Sequence, residues 1–178
     1  MSRAFQVIVI VLVVALLRLC TPAGPQSTTL PGAGSSSTAV NSPESAQVVV
    51  KRVVDGDTLL LESGERVRLL GVDTPETVKP NTPVQPWGPE ASALTRQMVE
   101  GKTVTLVFDK ERFDKYHRLL AFVYVDDVCL NTELIRQGLS AAQLQYPYRS
   151  DMKRLFKTAE NLARAEKIGL WSNSLPQN

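Results

Sequence analysis

Histidine and cysteine are scarce in this 178-residue chain: there is one histidine, His117, and there are two cysteines, Cys20 and Cys129. Two cysteines cannot build a disulfide framework, and Cys20 falls at the end of an apolar leader. Cys129 is therefore expected as a lone, buried and inert thiol on a strand. The acidic motifs have no histidine or cysteine beside them, which turns any metal site there away from zinc and toward hard cations with oxygen ligands. Strong charge of either sign is missing too. The formal net charge is +2, too mild to argue for a nucleic-acid partner, so anion binding has to come from individually placed arginines. There is no internal repeat. The apolar run Phe5 to Leu17 stops short of the roughly 20 residues of a membrane-spanning helix.

What is present begins with export. Arg3 ahead of that run, and small residues at Thr21 to Ala23, give the layout of a signal peptide. Arg18 interrupts the run before the cleavage region, so residues 1–23 are read as a signal peptide or an N-terminal membrane anchor. Arg18 and Leu19 are poor neighbours for lipidation at Cys20. Residues 24–46 are rich in Ser, Thr, Pro and Gly without hydrophobic period, and are expected to be a flexible linker. Residues 47–172 form the expected domain and 173–178 a tail. The chain is 43% hydrophobic, enough for a core.

Within the domain, β-branched Val48 to Val54 predicts a strand. Thr58 to Leu61 resumes after a D-G-D turn, and Arg66 to Val72 returns after Ser63-Gly64. Thr77 to Gly88 reads as a loop. Pro89 to Val99 reads as a helix with Pro in its first turn and Gly101 past its end. Val104 to Phe108 and Leu119 to Val125 are strands, followed by a short arm at Val128 to Leu130. Asn131 is expected to cap a short helix closed by Gly138. Ser150 is expected to cap a last helix presenting Met152, Leu155, Phe156, Ala159, Leu162 and Ala163 on one face. The economical fold is α+β, mainly β: a small barrel with helices on one side.

Three segments carry chemistry: V-D-G-D-T at Val54, R-L-L-G-V-D-T-P-E at Arg68 and D-K-Y-H-R at Asp114. Asp55 and Asp57 flank Gly56, which permits a sharp turn. Pairing of the two strands would let Asp57 and Asp73 converge on Ca²⁺ or Mg²⁺. Alone, D-G-D is equally a solvated hairpin turn. Glu76 follows Pro75, which discourages a helix through it; it stands near the metal on the loop side, where it can meet a water. Arg68 and Arg118 can neutralise charge on phosphorus, or serve as structural ion-pair partners. Arg68 and Asp73 are five apart, an odd offset that places them on opposite faces of a regular strand. Their convergence requires a bulge or bend at Gly71. V-D-T-P also looks like an aspartic-protease D-T-G, but Pro replaces Gly and no second copy exists.

With these motifs, the G-P-E-A-S-A-L-T helix start at Gly88, F-D-K at Phe108 and L-I-R-Q-G-L at Leu134, the region from Val48 to Ser172 resembles the staphylococcal (micrococcal) nuclease, or thermonuclease, family. The resemblance implies an OB-fold five-stranded β-barrel with three α-helices. It implies Ca²⁺-dependent hydrolysis of DNA and RNA, single-stranded or denatured by preference, to 3′-phosphates by an exported monomer. Asp57 and Asp73 would bind Ca²⁺ through carboxylates and Thr74 through its carbonyl, with Asp55 behind them. Glu76 would orient or deprotonate the water, and Arg68 and Arg118 would grip the scissile phosphate. Lys115, Tyr116 and Tyr146 would line the nucleotide pocket. The chain departs from the family in three places. His117 stands where Gly is usual, Leu144 stands where a second tyrosine is usual, and the Thr77 to Trp87 loop has prolines in place of lysines. The competing reading is an OB module that binds nucleic acid or protein without catalysis; retention of Asp57, Arg68, Asp73, Glu76 and Arg118 together speaks for the enzyme.

Overall fold

The computed structural model describes residues 44–78 and 83–173; the expected leader, most of the linker and nearly all of the tail lie outside them. In chain order the elements are β1 (Ser45–Asp55), β2 (Thr58–Leu61), β3 (Arg66–Leu69), β4 (Val72–Asp73), α1 (Gly88–Val99), β5 (Thr103–Phe113), β6 (Leu119–Val125), β7 (Val128–Cys129), α2 (Leu130–Arg136), β8 (Ala141–Ala142) and α3 (Ser150–Glu166). A 3₁₀ turn at Gly169–Trp171 follows.

The main sheet runs β3-β2-β1-β5-β6-β7, and a parallel pairing of β3 with β6 closes it. Closure makes a five-stranded barrel of β1, β2, β3, β5 and β6, the OB arrangement, with three helices around it. β1 serves two partners in succession: Ser45 to Val49 pair with β5, and Val50 to Asp55 pair with β2 through two register shifts. Such irregularities sharpen strand bending, which a small closed barrel needs. Val50, Leu59, Leu61, Val67, Leu69, Leu106 and Phe122 fill the interior, each at most 1% exposed. Phe122, Tyr148 and Phe156 stack α3 onto the barrel, with ring centroids 5.9 Å apart pairwise.

Several local expectations are corrected. The strand predicted as Arg66 to Val72 breaks at Gly71 (φ +73°) into β3 and β4, and β4 pairs with β8 instead. A side chain at Gly71 would lie 2.6 Å from Phe156 Cε2 and 2.9 Å from the Tyr148 ring, so both conformation and space require glycine. β5 continues to Phe113, beyond the predicted Phe108. Ser150 is the first residue of α3 rather than its cap. On α3, Leu155 and Leu162 are exposed (44% and 50%), while Glu160, not among the residues expected on the packed face, is buried. Lys157 and Arg164 pair with its carboxylate at 3.2 and 3.0 Å, which is how a charge sits on the packed face.

Asn131 is not a cap either. It lies inside α2, fully buried. Its amide donates to the carbonyls of Leu70 (2.8 Å) and Ala121 (3.3 Å) and accepts from the N–H of Val123 (2.9 Å). One side chain thus ties α2 to β6 and to the chain leaving β3, at the seam that closes the barrel. Cys129 is a buried free thiol at the end of β7, as expected.

His117 has φ +59° in the turn before β6. The left-handed region costs a non-glycine residue about 1–2 kcal/mol, while glycine costs the unfolded chain about 0.4–1 kcal/mol. His117→Gly is therefore expected to stabilise the protein by about 0.5–1 kcal/mol, read as a higher midpoint in urea unfolding with unchanged m-value. An unchanged or lower midpoint would show that the histidine side chain contributes more than the strain costs.

Candidate active site

The Asp55-Gly56-Asp57 turn joins β1 to β2 and packs under Thr74 and α1. Gly56 does not have positive φ, so its role is space rather than a special turn conformation. A Cβ there would sit 2.7 Å from Thr74 Oγ1 and 3.0 Å from Ala91 Cβ. This close approach brings Asp57 to Thr74. Asp57 Oδ2 accepts from the Thr74 N–H (2.9 Å) and Thr74 Oγ1 (3.2 Å), and its Oδ1 accepts from Thr58 Oγ1 (3.0 Å). Asp57 is only 7% exposed. Burial pushes its carboxyl above the usual range, against the pull of Arg68 and these donors.

Arg68 lies between two carboxylates. Its Nη1 is 2.7 Å from Asp57 Oδ2, too poorly aligned to count as a hydrogen bond, and its Nη2 donates to Asp73 Oδ1 at 2.7 Å. The bend at Gly71 is what allows it: β3 ends at Leu69, the chain turns, and Asp73 swings back onto the face that carries Arg68. The convergence that spacing alone could not deliver is thus delivered by one residue of positive φ.

Glu76 follows in the loop after Pro75. Its Oε1 accepts from the Val78 N–H at 3.1 Å, and its carboxyl contacts that of Asp55. Asp55 Oδ1 in turn accepts from the Gly56 N–H (2.8 Å), Thr77 Oγ1 (2.6 Å) and Ser92 Oγ (3.2 Å). Burial disfavours charge on Asp55, but the hydrogen bonds it accepts, that from Thr77 foremost, outweigh it and hold its carboxyl below the usual range. Asp55 therefore links the turn, the Glu76 loop and α1.

Arg118 belongs to a separate cluster. Asp114 Oδ1 accepts from the N–H groups of Tyr116 (2.8 Å) and Arg118 (3.0 Å), and Asp114 Oδ2 accepts from Arg118 Nε at 2.7 Å. In the parallel pairing, Arg68 lies beside Leu120. Arg118 immediately precedes β6, two residues ahead of Leu120. Lys115 and Tyr116 sit at the tip of this turn. Tyr116 is 65% exposed, with Lys115 Nζ 5.0 Å and Arg118 Cζ 5.4 Å from its ring centre. Tyr146, 56% exposed, stands on the segment between β8 and α3, while Leu144 packs against the core.

The structure thus joins Asp57, Arg68, Asp73 and Thr74 in one contact network, sets Asp55 and Glu76 beside each other in a second, holds Lys115, Tyr116 and Arg118 in a third, and leaves Tyr146 outside all of them. Sequence reading gave no role to Thr77, Ser92, Gln85 or Asp114. The i, i+4 spacing of Asp114 and Arg118 was a usable signal; nothing in the chain marks Ser92, which comes from α1.

Among the described residues, no three His, Cys, Asp or Glu side chains gather into a metal cage. Two carboxylates do converge, each 2.7 Å from a different nitrogen of the Arg68 guanidinium. An all-oxygen set of two carboxylates beside the Thr74 backbone suits a hard cation that completes its shell with carbonyls and water.

The chain matches the family model described as staphylococcal nuclease homologue over residues 66–173. It is 44% identical over 126 residues to a thermonuclease of Staphylococcus intermedius, covering 69% of this chain and 74% of that protein. It is 36% identical over 170 residues to a thermonuclease of Staphylococcus hyicus, covering 94% and 95%. An endonuclease of Bacillus subtilis is 41% identical over 140 residues, covering 75% of this chain and 65% of that protein. With the closed barrel and its three helices, these matches establish that the chain belongs to the staphylococcal nuclease homologue family.

Proposed function

We propose that this protein is an exported nuclease that hydrolyses phosphodiester bonds of DNA and RNA with Ca²⁺, leaving 3′-phosphates. The observation that carries the reading is the Asp57–Arg68–Asp73 convergence beside the Glu76–Asp55 contact. It supports the reading because Arg68 meets both Asp57 and Asp73, and Glu76 follows three residues after Asp73. The names of the relatives, thermonuclease and endonuclease, support it.

In this reading Asp57, Asp73 and the Thr74 carbonyl hold the cation, which when bound polarises phosphoryl oxygen and offsets developing negative charge. Glu76 orients the attacking water and takes its proton at a carboxylate oxygen. Arg68 and Arg118 hold the equatorial oxygens, where charge spreads in the transition state. Arg118 uses Nε on Asp114, so its two Nη groups are the ones presented to phosphate. Lys115, Tyr116 and Tyr146 receive the nucleotide, with Leu144 half-buried against the core. A single tyrosine at this position predicts a weaker stacking grip than a pair would give. Export is consistent with Ca²⁺ use, because free calcium is abundant outside cells. No helix among the described residues is long and apolar enough to cross a membrane.

The test is release of acid-soluble nucleotides from denatured DNA by the purified protein with Ca²⁺, with Mg²⁺ and with chelator. Release is expected with Ca²⁺ and should fall to background when chelator removes the cation. A folded protein that releases nothing with either metal would leave the non-catalytic OB module as the working reading.

A further inference from the structure

The backbone of Glu76 is held at both of its polar groups by one residue nine positions later. Glu76 donates its N–H to Gln85 Oε1 (3.0 Å), and Gln85 donates its own N–H to the Glu76 carbonyl (3.0 Å). Gln85 is anchored in turn, since its carbonyl accepts from the N–H of Gly88 at 3.1 Å, the first residue of α1. Gly88 has to be glycine here for lack of space: a Cβ would come within 2.7 Å of Thr77 Cγ2 and 2.9 Å of the Pro75 carbonyl. The helix α1 thus reaches the loop that leaves at Glu76 through two consecutive links, Gly88 to Gln85 and Gln85 to Glu76.

We infer that Gln85 is a positioning residue for Glu76. It acts through the backbone, fixing the peptide from which the Glu76 carboxylate projects. The inference rests on the nuclease reading above. The geometry is specific to the side chain. The Gln85 N–H bond survives any substitution except proline, but the Glu76 N–H needs an acceptor oxygen at the end of a two-methylene arm. Without it, one end of the Glu76 peptide is released while the other stays held, so the residue can pivot. Pivoting matters because proton abstraction demands a carboxylate oxygen within hydrogen-bond reach of the water, and small misplacements are costly. Thr77, bonded to Asp55 at 2.6 Å, limits the pivot from the other side, so the effect should be smaller than loss of Glu76 itself.

The experiment compares Gln85→Ala, Gln85→Glu and a neighbouring control, Val84→Ala, which removes an exposed side chain from the same segment. The full-length protein is assayed on denatured DNA with Ca²⁺, together with thermal unfolding and amide hydrogen exchange at Glu76. Gln85→Ala is expected to lower kcat about 10–100-fold, with KM and unfolding temperature near those of the wild type and faster exchange at the Glu76 amide. Gln85→Glu keeps an acceptor oxygen and should recover most of kcat; Val84→Ala should change nothing. The inference is overturned if Gln85→Ala keeps wild-type kcat, if the loss falls on KM, or if kcat falls only in step with unfolding temperature. A wild-type protein without activity would remove the parent reading and the role with it. Unchanged exchange at Glu76 in Gln85→Ala would refute the clamp whatever the activity.

Discussion

Glu76→Gln is expected to reduce kcat by about 10²–10⁴-fold, the usual contribution of a positioned general base, with KM little changed. Gln is nearly isosteric with Glu. It can still accept from the Val78 N–H through its carbonyl, as Glu76 Oε1 does now, and its amide can donate to Asp55, which Glu76 contacts. The loop should therefore stay in place while the ability to take a proton is lost. A fall in kcat without a fall in KM identifies an interaction made only in the transition state. Steady-state kinetics on denatured DNA, with thermal unfolding as the check on the fold, decide the matter. A loss under about tenfold would demote Glu76 from base to bystander.

The arginines should separate from each other in a way their sequence positions do not suggest. Arg118→Ala is expected to cost about 10²–10³-fold in kcat, the scale of a lost donor to a developing oxyanion. Arg118→Lys should recover little of it, because an ammonium cannot bind Asp114 through one nitrogen and offer a planar pair to phosphate. Its binding of Ca²⁺ should match the wild type, since Arg118 pairs with Asp114 and not with the candidate cation ligands. Arg68→Ala should slow catalysis to a similar degree and do something further. Its guanidinium lies 2.7 Å from both Asp57 and Asp73, so its removal takes a competing positive charge from between them. Calorimetry should show tighter Ca²⁺ binding to Arg68→Ala than to wild type. Equal or weaker binding would mean that Arg68 does not share the cation position, and that the carboxylates need it for their arrangement.

The lost tyrosine at Leu144 and the strained His117 show how departures from a family pattern are absorbed. Leu144 is half-buried and packs against the core. His117 accepts a left-handed backbone at the tip of a turn in which Asp114 binds two backbone N–H groups. Those bonds hold the turn in shape whatever residue occupies position 117, which is why histidine is tolerated there.

The strand and helix order was legible because each element carries a local signal: β-branched runs in β1, alternation in β5, and proline and glycine bounding α1. Corrections fall where a distant partner overrides that signal. Asn131 looks like a cap until Leu70, Ala121 and Val123 claim its amide across the barrel seam.

For the site, the sequence by itself determined the chemical inventory. Carboxylates without histidine or cysteine, arginines, and a glutamate behind a proline already point to a hard cation and a phosphate. Residue type fixes charge, donor capacity and ligand preference wherever the residue ends up. The tertiary structure alone decided which of these groups meet. Arg68 reaches Asp73 because Gly71 bends the chain. Arg68 lies beside Leu120, two residues past Arg118, because β3 pairs with β6 in parallel. Glu76 is held by Gln85 and joined to Asp55, which Ser92 braces from α1. Each of these is a contact between segments whose separation along the chain carries no directional information. Only closure of the barrel, driven by burial of its apolar interior, sets the distances.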